Sequence, residues 1–217
     1  PNNYVKVAQR LASSMNNAIW ANQFDNTANR EAHFRTTGPE IWAQTEGRID
    51  AFICATGTGG SLAGIARYLK SKSGNITVAL ADPPGSALAN WVLKGELTLN
   101  GDGSITEGIG NSRVTANLAD TPIDTAVTID DQTTINMVYH LLYHEGLCVG
   151  ASSGLNVAAA VWLANQLGPG HTVVTLLCDS GLRYQSRLFN PQWLAARQLK
   201  APDKHHLIDW SGVFAKH

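Results

Sequence analysis

Ile53-Cys54-Ala55-Thr56-Gly57-Thr58-Gly59-Gly60-Ser61-Leu62-Ala63-Gly64-Ile65-Ala66-Arg67-Tyr68-Leu69 joins two periodicities across a glycine-rich turn. Before the turn, Ala51 to Ala55 is an unbroken apolar run of strand length; after it, Leu62, Ile65, Ala66 and Leu69 recur at helical spacing. The segment therefore predicts strand, loop, helix. Glycines at such a junction let the backbone approach a ligand closely, and the free amides at the positive end of the helix can surround an anion. Phosphate is the leading candidate. A nucleoside-triphosphate loop needs Gly-Lys-Ser/Thr, whereas Gly60 is followed by Ser61 and Leu62. The dinucleotide pattern fails as well, because Leu62 stands where a third glycine is required. A glycine turn without a ligand is the alternative reading of the loop alone.

The flanking chain repeats the alternation. Upstream, Val5, Ala8, Leu11 and Met15 predict an amphipathic helix over Tyr4 to Met15, capped by Asn2 or Asn3. Ala18 to Ala21 reads as a short strand delivering Asn22, Gln23 and Phe24 to its carboxyl end, and Arg30 onward as a long helix broken at Thr37-Gly38-Pro39. Downstream, Ile76 to Ala81 is a strand ended by Asp82-Pro83-Pro84-Gly85, and Ala87 to Leu93 is a helix stopped by Gly95. Glu96 to Leu118 carries no sustained period and contains Thr106-Glu107-Gly108-Ile109-Gly110-Asn111, which suits either a ligand wall or a plain loop. Ala126 to Ile129 is a strand, and Asp130 or Asp131 caps a helix running to Gly146. After the short apolar Leu147 to Ala151, Ser152 and Ser153 read as caps of an alanine-rich helix ending at Leu167. His171 to Cys178 predicts a central strand leading into Asp179-Ser180-Gly181, followed by short helices over Arg183 to Phe189 and Pro191 to Leu199.

Strands separated by helices imply crossover connections. The expected fold is α/β, a mostly parallel sheet with helices on both faces in three αβα layers. Its carboxyl edge gathers Gln23, the Gly57 to Ser61 loop, Asp82 and Ser180, where open α/β sheets bind ligands.

Composition narrows the function. The 217 residues carry a formal net charge of -1, with 44% hydrophobic and 15% charged residues, so there is no basic field for nucleic acid or an anionic membrane. No apolar run reaches spanning length and the first residues do not form a secretory signal. Cys54, Cys148 and Cys178 sit in apolar runs without metal-like spacing and read as buried free thiols of a reducing cytoplasm. His205, His206 and His217 read as solvated tail residues, not as a metal site. Small-molecule chemistry is favoured.

Six motifs in order resemble the pyridoxal-phosphate enzymes of the cysteine synthase (O-acetylserine sulfhydrylase) and cystathionine β-synthase group. They are Gln23-Phe24-Asp25-Asn26, Thr36-Thr37-Gly38-Pro39-Glu40-Ile41-Trp42, Gly57-Thr58-Gly59-Gly60-Ser61, Glu107-Gly108-Ile109-Gly110, Ser152-Ser153-Gly154 and Asp179-Ser180-Gly181. The resemblance covers nearly all of the chain up to about Phe189 and implies the large domain of fold type II. It also implies that Gly57, Thr58, Gly59, Gly60 and Ser61 hold the cofactor phosphate, that Ser180 meets the pyridine nitrogen, and that Gln23 and Gly108 face the substrate. The family's Schiff-base lysine and its Ser/Thr-x-Gly-Asn-Thr loop are not found here: Lys6, Lys70, Lys72, Lys94, Lys200, Lys204 and Lys216 lie in other contexts. Residues 1–217 thus resemble a carboxyl-terminal, phosphate-binding domain whose catalytic lysine belongs to an absent amino-terminal part. The implied reaction is β-replacement on O-acetyl-L-serine by sulfide, in a homodimer. The alternatives are a cystathionine β-synthase-like reaction with another nucleophile, which the Asp179-Ser180 pair resembles, or a non-catalytic fragment that keeps the fold.

Overall fold

The structure, a computed structural model, describes residues 3–205 and 208–210. Four strands form one sheet: β1 (Ala51–Ala55), β2 (Thr77–Asp82), β3 (Thr125–Thr128) and β4 (Val173–Val174). Their order is β3-β2-β1-β4 and every pairing is parallel, with Ala51 beside both Thr77 and Val173. The helices are α1 (Tyr4–Ser14), α2 (Ala28–Arg35), α3 (Thr37–Gln44), α4 (Gly60–Lys72), α5 (Leu88–Lys94), α6 (Asp131–His144), α7 (Ala151–Leu167) and α8 (Pro191–Ala195), with a 3-10 turn over Gly181–Tyr184. No helix among the described residues is long and apolar enough to cross a membrane.

Strand alternation divides the core into two layers. Phe52 and Cys54 of β1 and Val78 and Leu80 of β2 pack against Leu62, Ile65 and Leu69 of α4 and Leu88 of α5. Ala51, Ile53, Ala79 and Ala81 face the other way, onto Met137 and Leu141 of α6 and Leu155, Ala158 and Leu163 of α7. The expected three-layer αβα arrangement is therefore present. Phe52, Ile53, Leu62, Leu80 and Leu155 are fully buried, and each such side chain contributes about 2 kcal/mol. β1 is central because both of its faces are apolar. The order of strands reverses direction beside it, since β2 and β3 lie on one side and β4 on the other.

Several expectations fail for identifiable reasons. Ala18 to Ala21 is not a strand: Asn17 and Asn22 have φ of 59° and 48°, and Ile19 is 93% exposed, so the segment has no neighbouring strand to bury its apolar face. Only Val173 and Val174 of the His171 to Cys178 run pair with β1; beyond them Leu177 is exposed and the Thr175 hydroxyl bonds the Ile53 carbonyl at 2.6 Å. Ser152 and Ser153 do not cap α7, whose cap is Gly150 with no side-chain bond. Of the thiols, all free, only Cys54 is buried; Cys148 and Cys178 are exposed. Of the tail histidines, His206 and His217 lie outside the described residues.

Other local signals hold. Asn3 caps α1 by accepting from the Val5 amide, Asp130 caps α6 by accepting from the Thr133 amide, and Gly95 ends α5 at φ 75°. The predicted break between two helices lies at Thr36, between α2 and α3.

Asp82, at the tip of β2, is fully buried; its Oδ2 accepts from the Ala89 amide at 2.8 Å, while Oδ1 has no partner among the described residues. Burial raises its pKa from 3.8 to about 6, against the Ala89 hydrogen bond and the nearby Ser86 hydroxyl and Leu88 amide, which lower it. Between these values the folded state binds more protons than the unfolded one. The group's stabilising contribution is therefore complete below the unfolded value and is lost as pH rises through about 6. Asp82→Asn keeps an oxygen for the Ala89 amide, so urea unfolding should find it close to wild type at acid pH and more stable by ~1–3 kcal/mol at pH 8. The same difference at both pH values would exclude Asp82 as the titrating group.

Candidate functional site

The carboxyl ends of all four parallel strands open on one edge, and the reversal of strand order beside β1 makes the crevice between β1 and β4 the place for a ligand. Thr56 to Ser61 leave β1 there. Gly59, at φ 87°, is the cap residue of α4 and forms no side-chain cap bond, and no acid lies in the first turn. The amides of that turn and the Thr58 and Ser61 hydroxyls therefore meet no competing carboxylate from their own helix.

Neighbouring segments fix this loop at close quarters. The Gly108 carbonyl lies against Gly57 so tightly that a Cβ there would come within 2.1 Å of it. Gly108 itself has φ 79° and open space where a side chain would stand. The Gly110 amide donates to the Thr56 carbonyl at 2.8 Å, and the Thr115 hydroxyl donates to the Thr58 carbonyl at 2.6 Å. On the other side, α2 crosses α4 over Gly60 and Gly64: Cβ atoms at these positions would approach Asn29 Oδ1 and the Arg30 carbonyl to 2.1 and 2.3 Å. That close approach brings Asn29 and His33, four residues apart on α2, onto the loop. Asn29 Nδ2 donates to Thr58 Oγ1 at 3.0 Å and to the Gln23 carbonyl at 3.4 Å. His33 Nε2 lies 3.0 Å from Ser61 Oγ, and its Nδ1 lies 2.9 Å from Thr37 Oγ1. Burial lowers the pKa of His33 below the ordinary imidazole value, so the ring is neutral at pH 7, with one nitrogen donating and the other accepting.

Gln23 joins the loop through its backbone. Its carbonyl also accepts from Asn117 Nδ2 at 3.0 Å, while the side chain is exposed beside a cavity of about 270 Å³ lined by Tyr4, Val5 and Ala8 of α1. Asp25 and Arg113 form a two-point ion pair at 2.9 and 2.8 Å that ties the Gln23 loop to the irregular segment after Gly110. The pairing with Arg113 lowers the pKa of Asp25.

Ser180 follows β4, the strand next to β1. It bridges Val149 in an antiparallel pair and starts the 3-10 turn, its Oγ accepting from the Leu182 amide at 3.3 Å. The hydroxyl proton remains available to a ligand. Asp179 is engaged elsewhere: Oδ2 accepts from the Tyr184 hydroxyl at 2.6 Å and lies 3.5 Å from Arg183, at the amino end of α7. The two strand tips are spliced by Asn156 of α7, whose Oδ1 accepts from the Ala55 amide at 2.7 Å and whose Nδ2 donates to the Leu176 carbonyl at 2.9 Å. Ser153 Oγ accepts from the Cys178 amide at 2.8 Å.

Of the residues singled out in the sequence, Gln23, Gly57 to Ser61 and Gly108 are thus joined by direct or one-residue contacts, and Ser180 lies in the segment that follows the adjacent strand, at the start of the 3-10 turn. Asn29, His33, Thr115 and Asn156 escaped the sequence reading. For the first two a signal existed: a polar pair four apart on α2 facing a glycine pair four apart on α4. A cradle of amides and hydroxyls without a carboxylate, beside a neutral hydroxyl donor, suits the phosphate and the pyridine nitrogen of pyridoxal phosphate. The family model for pyridoxal-phosphate dependent enzymes matches residues 1–179. The chain belongs to that family.

Relatives within the family share most of this chain. It is 53% identical over 211 residues to cysteine synthase 1 of Neurospora crassa and equally to cysteine synthase 1 of Emericella nidulans, covering 95% of the chain in each case. A crystal structure of an O-acetylserine dependent cystathionine beta-synthase from Helicobacter pylori superimposes with a TM-score of 0.76 at 32% identity, over 84% of this chain and 57% of that one. The architecture is that of fold type II. The chain spans 56% and 57% of the lengths of the two fungal relatives.

Proposed function

We propose that this chain is the carboxyl-terminal, phosphate-binding domain of a pyridoxal-phosphate-dependent enzyme that makes L-cysteine from O-acetyl-L-serine and sulfide. A lysine-bearing amino-terminal part completes the enzyme. The observation that carries this reading is the placement of the Gly57 to Ser61 loop and of Ser180 after neighbouring parallel strands, at the reversal of strand order.

Bound pyridoxal phosphate supplies an electron sink for the substrate's α-carbon. In this reading the amides of Gly57 to Ser61 and the Thr58 and Ser61 hydroxyls hold the phosphate charge, with His33 and Asn29 orienting those hydroxyls. Gly108 walls the ring with its backbone, and Gln23 donates through Nε2 to the substrate carboxylate. Ser180 donates a hydrogen bond to the pyridine nitrogen without transferring a full positive charge to it, as a carboxylic acid would. That weaker sink favours elimination and replacement at the β-carbon.

The test is formation of cysteine from O-acetyl-L-serine and sulfide when this chain is joined to its amino-terminal part and loaded with cofactor. No product and no cofactor absorbance would refute the reading. A second reading, cystathionine β-synthase-like replacement with homocysteine, is favoured by the Asp179-Ser180 pair. Faster turnover with homocysteine than with sulfide would establish it, and cofactor binding without turnover of either would leave the non-catalytic domain. We also place the enzyme in the cytoplasm as a homodimer: the free, exposed thiols of Cys148 and Cys178 suit a reducing compartment, and Leu93, Leu97 and Leu99 are exposed apolar surface. Light scattering should give twice the protomer mass.

A further inference from the structure

The segment from Ser104 to Asn111 is held firmly at both ends. Upstream, Asp131 accepts from the Ser104 hydroxyl at 2.6 Å and from the Ile105 amide at 3.0 Å. Downstream, Gly110 is bonded to Thr56, and the Asn111 amide donates to Ser86 Oγ at 3.0 Å. Between these anchors lie Glu107 and Gly108, both exposed, with Gly108 at φ 79° pressed on Gly57. Glu107 forms an ion pair with Arg187, the two side chains being 55% and 47% exposed. Arg187 belongs to the strap that follows Ser180: its amide bonds the Tyr184 carbonyl at 2.9 Å, and Tyr184 holds Asp179. Behind the pair is a cavity of about 380 Å³ lined by Ser104, Ile105, Trp193 and Arg197. Ile105 of the one segment and Tyr184, Leu188 and Phe189 of the other share an apolar cluster, to which the pair adds a charged link between exposed side chains.

We infer that the Glu107–Arg187 ion pair is a tether that sets the position of the Gly108 wall against the Ser180 strap, and so the width of the cofactor cleft. Glu107 and Arg187 are positioning residues, since neither reaches the glycine loop. The two segments come from opposite sides of β1 in the sheet, one after β2 and one after β4. This exposed pair joins them across the mouth. An exposed pair is screened by salt, so the wall should loosen as ionic strength rises.

The inference rests on the proposed function only in taking Gly108 and Ser180 to flank the cofactor, and its first readout needs neither cofactor nor turnover. Hydrogen exchange in the peptide covering 104–111 of the unliganded chain should rise about threefold in Glu107→Gln and in Arg187→Gln, the scale of an exposed pair. The charge-exchanged double variant, Glu107→Arg with Arg187→Glu, should return it towards wild type. In wild type, raising salt from about 0.05 M to about 0.5 M should produce the same rise, a measurement that depends on no variant. In the completed enzyme the single variants should raise KM for O-acetyl-L-serine several-fold with kcat within about twofold, and alter the cofactor's fluorescence, with thermal stability little changed. Unchanged exchange in both single variants, or no effect of salt on wild type, would overturn the tether. A rise in exchange that the exchanged pair restores, in a protein that makes no cysteine, would keep the tether and reject the proposed reaction.

Discussion

Gly57→Ala is expected to cost the completed enzyme at least about 100-fold in pyridoxal-phosphate affinity and about 2–4 kcal/mol in stability. The backbone at Gly57 is not in the left-handed region, so alanine is allowed there by its φ. The obstacle is the Gly108 carbonyl, 2.1 Å from where the methyl group would stand. That carbonyl cannot retreat easily, because Gly110 is bonded to Thr56 and Asn111 Nδ2 donates to the Gly57 carbonyl at 3.4 Å. Either the wall or the loop must move, and both are proposed to touch the cofactor. Gly108→Ala is the control: its Cβ would meet open space, and only the positive φ opposes it, at about 1 kcal/mol. Cofactor titration followed by absorbance should separate the two variants clearly; equal affinities would refute a wall fixed by van der Waals contact.

Asn156→Ala should be the most destabilising single polar substitution near the crevice, by about 3 kcal/mol, with a Tm loss on the order of 8 °C. Asn156 is fully buried, and its removal strands the Ala55 amide and the Leu176 carbonyl together. Asn156→Asp keeps the acceptor for Ala55 but faces the Leu176 carbonyl with an oxygen, so it should lose at least as much. Thermal unfolding checks both. A loss below about 1 kcal/mol for the alanine variant would mean that water replaces the side chain without cost.

The centre of the fold was readable because Ala51 to Ala55 and Leu62 to Leu69 change period at a glycine turn, and nothing in the three-dimensional surroundings competes with that pattern. The edges were not. Leu176 and Leu177 are as apolar as Val173 and Val174, yet the strand stops after two residues because its tip turns toward the Asn156 and Ser153 side chains of α7, which a one-dimensional pattern does not contain. Ala18 to Ala21 has the composition of a strand and no partner. Ser153 reads as a cap because serine often is one, whereas here Gly150 holds that position and the hydroxyl serves Cys178. At the site, the glycines and Ser180 were visible through their motifs. Asn29 and His33 became visible only when α2 was seen lying across Gly60 and Gly64, since polar residues on a short helix otherwise read as solvated.

The two lips of the crevice differ in how deeply they are rooted. The glycine loop grows from a strand paired on both sides, whereas Ser180 follows a two-residue edge strand that meets β1 across 122 positions of sequence, with the Val149 bridge as a further backbone anchor. Edge elements with few ladder bonds open at a small fraction of the global unfolding free energy, and pairings so distant along the chain form late. On these grounds the lip proposed to face the phosphate is expected to form early and persist, and the lip proposed to face the ring to form later and open sooner. A chain still folding would then grip an anion before it could discriminate what the anion is attached to.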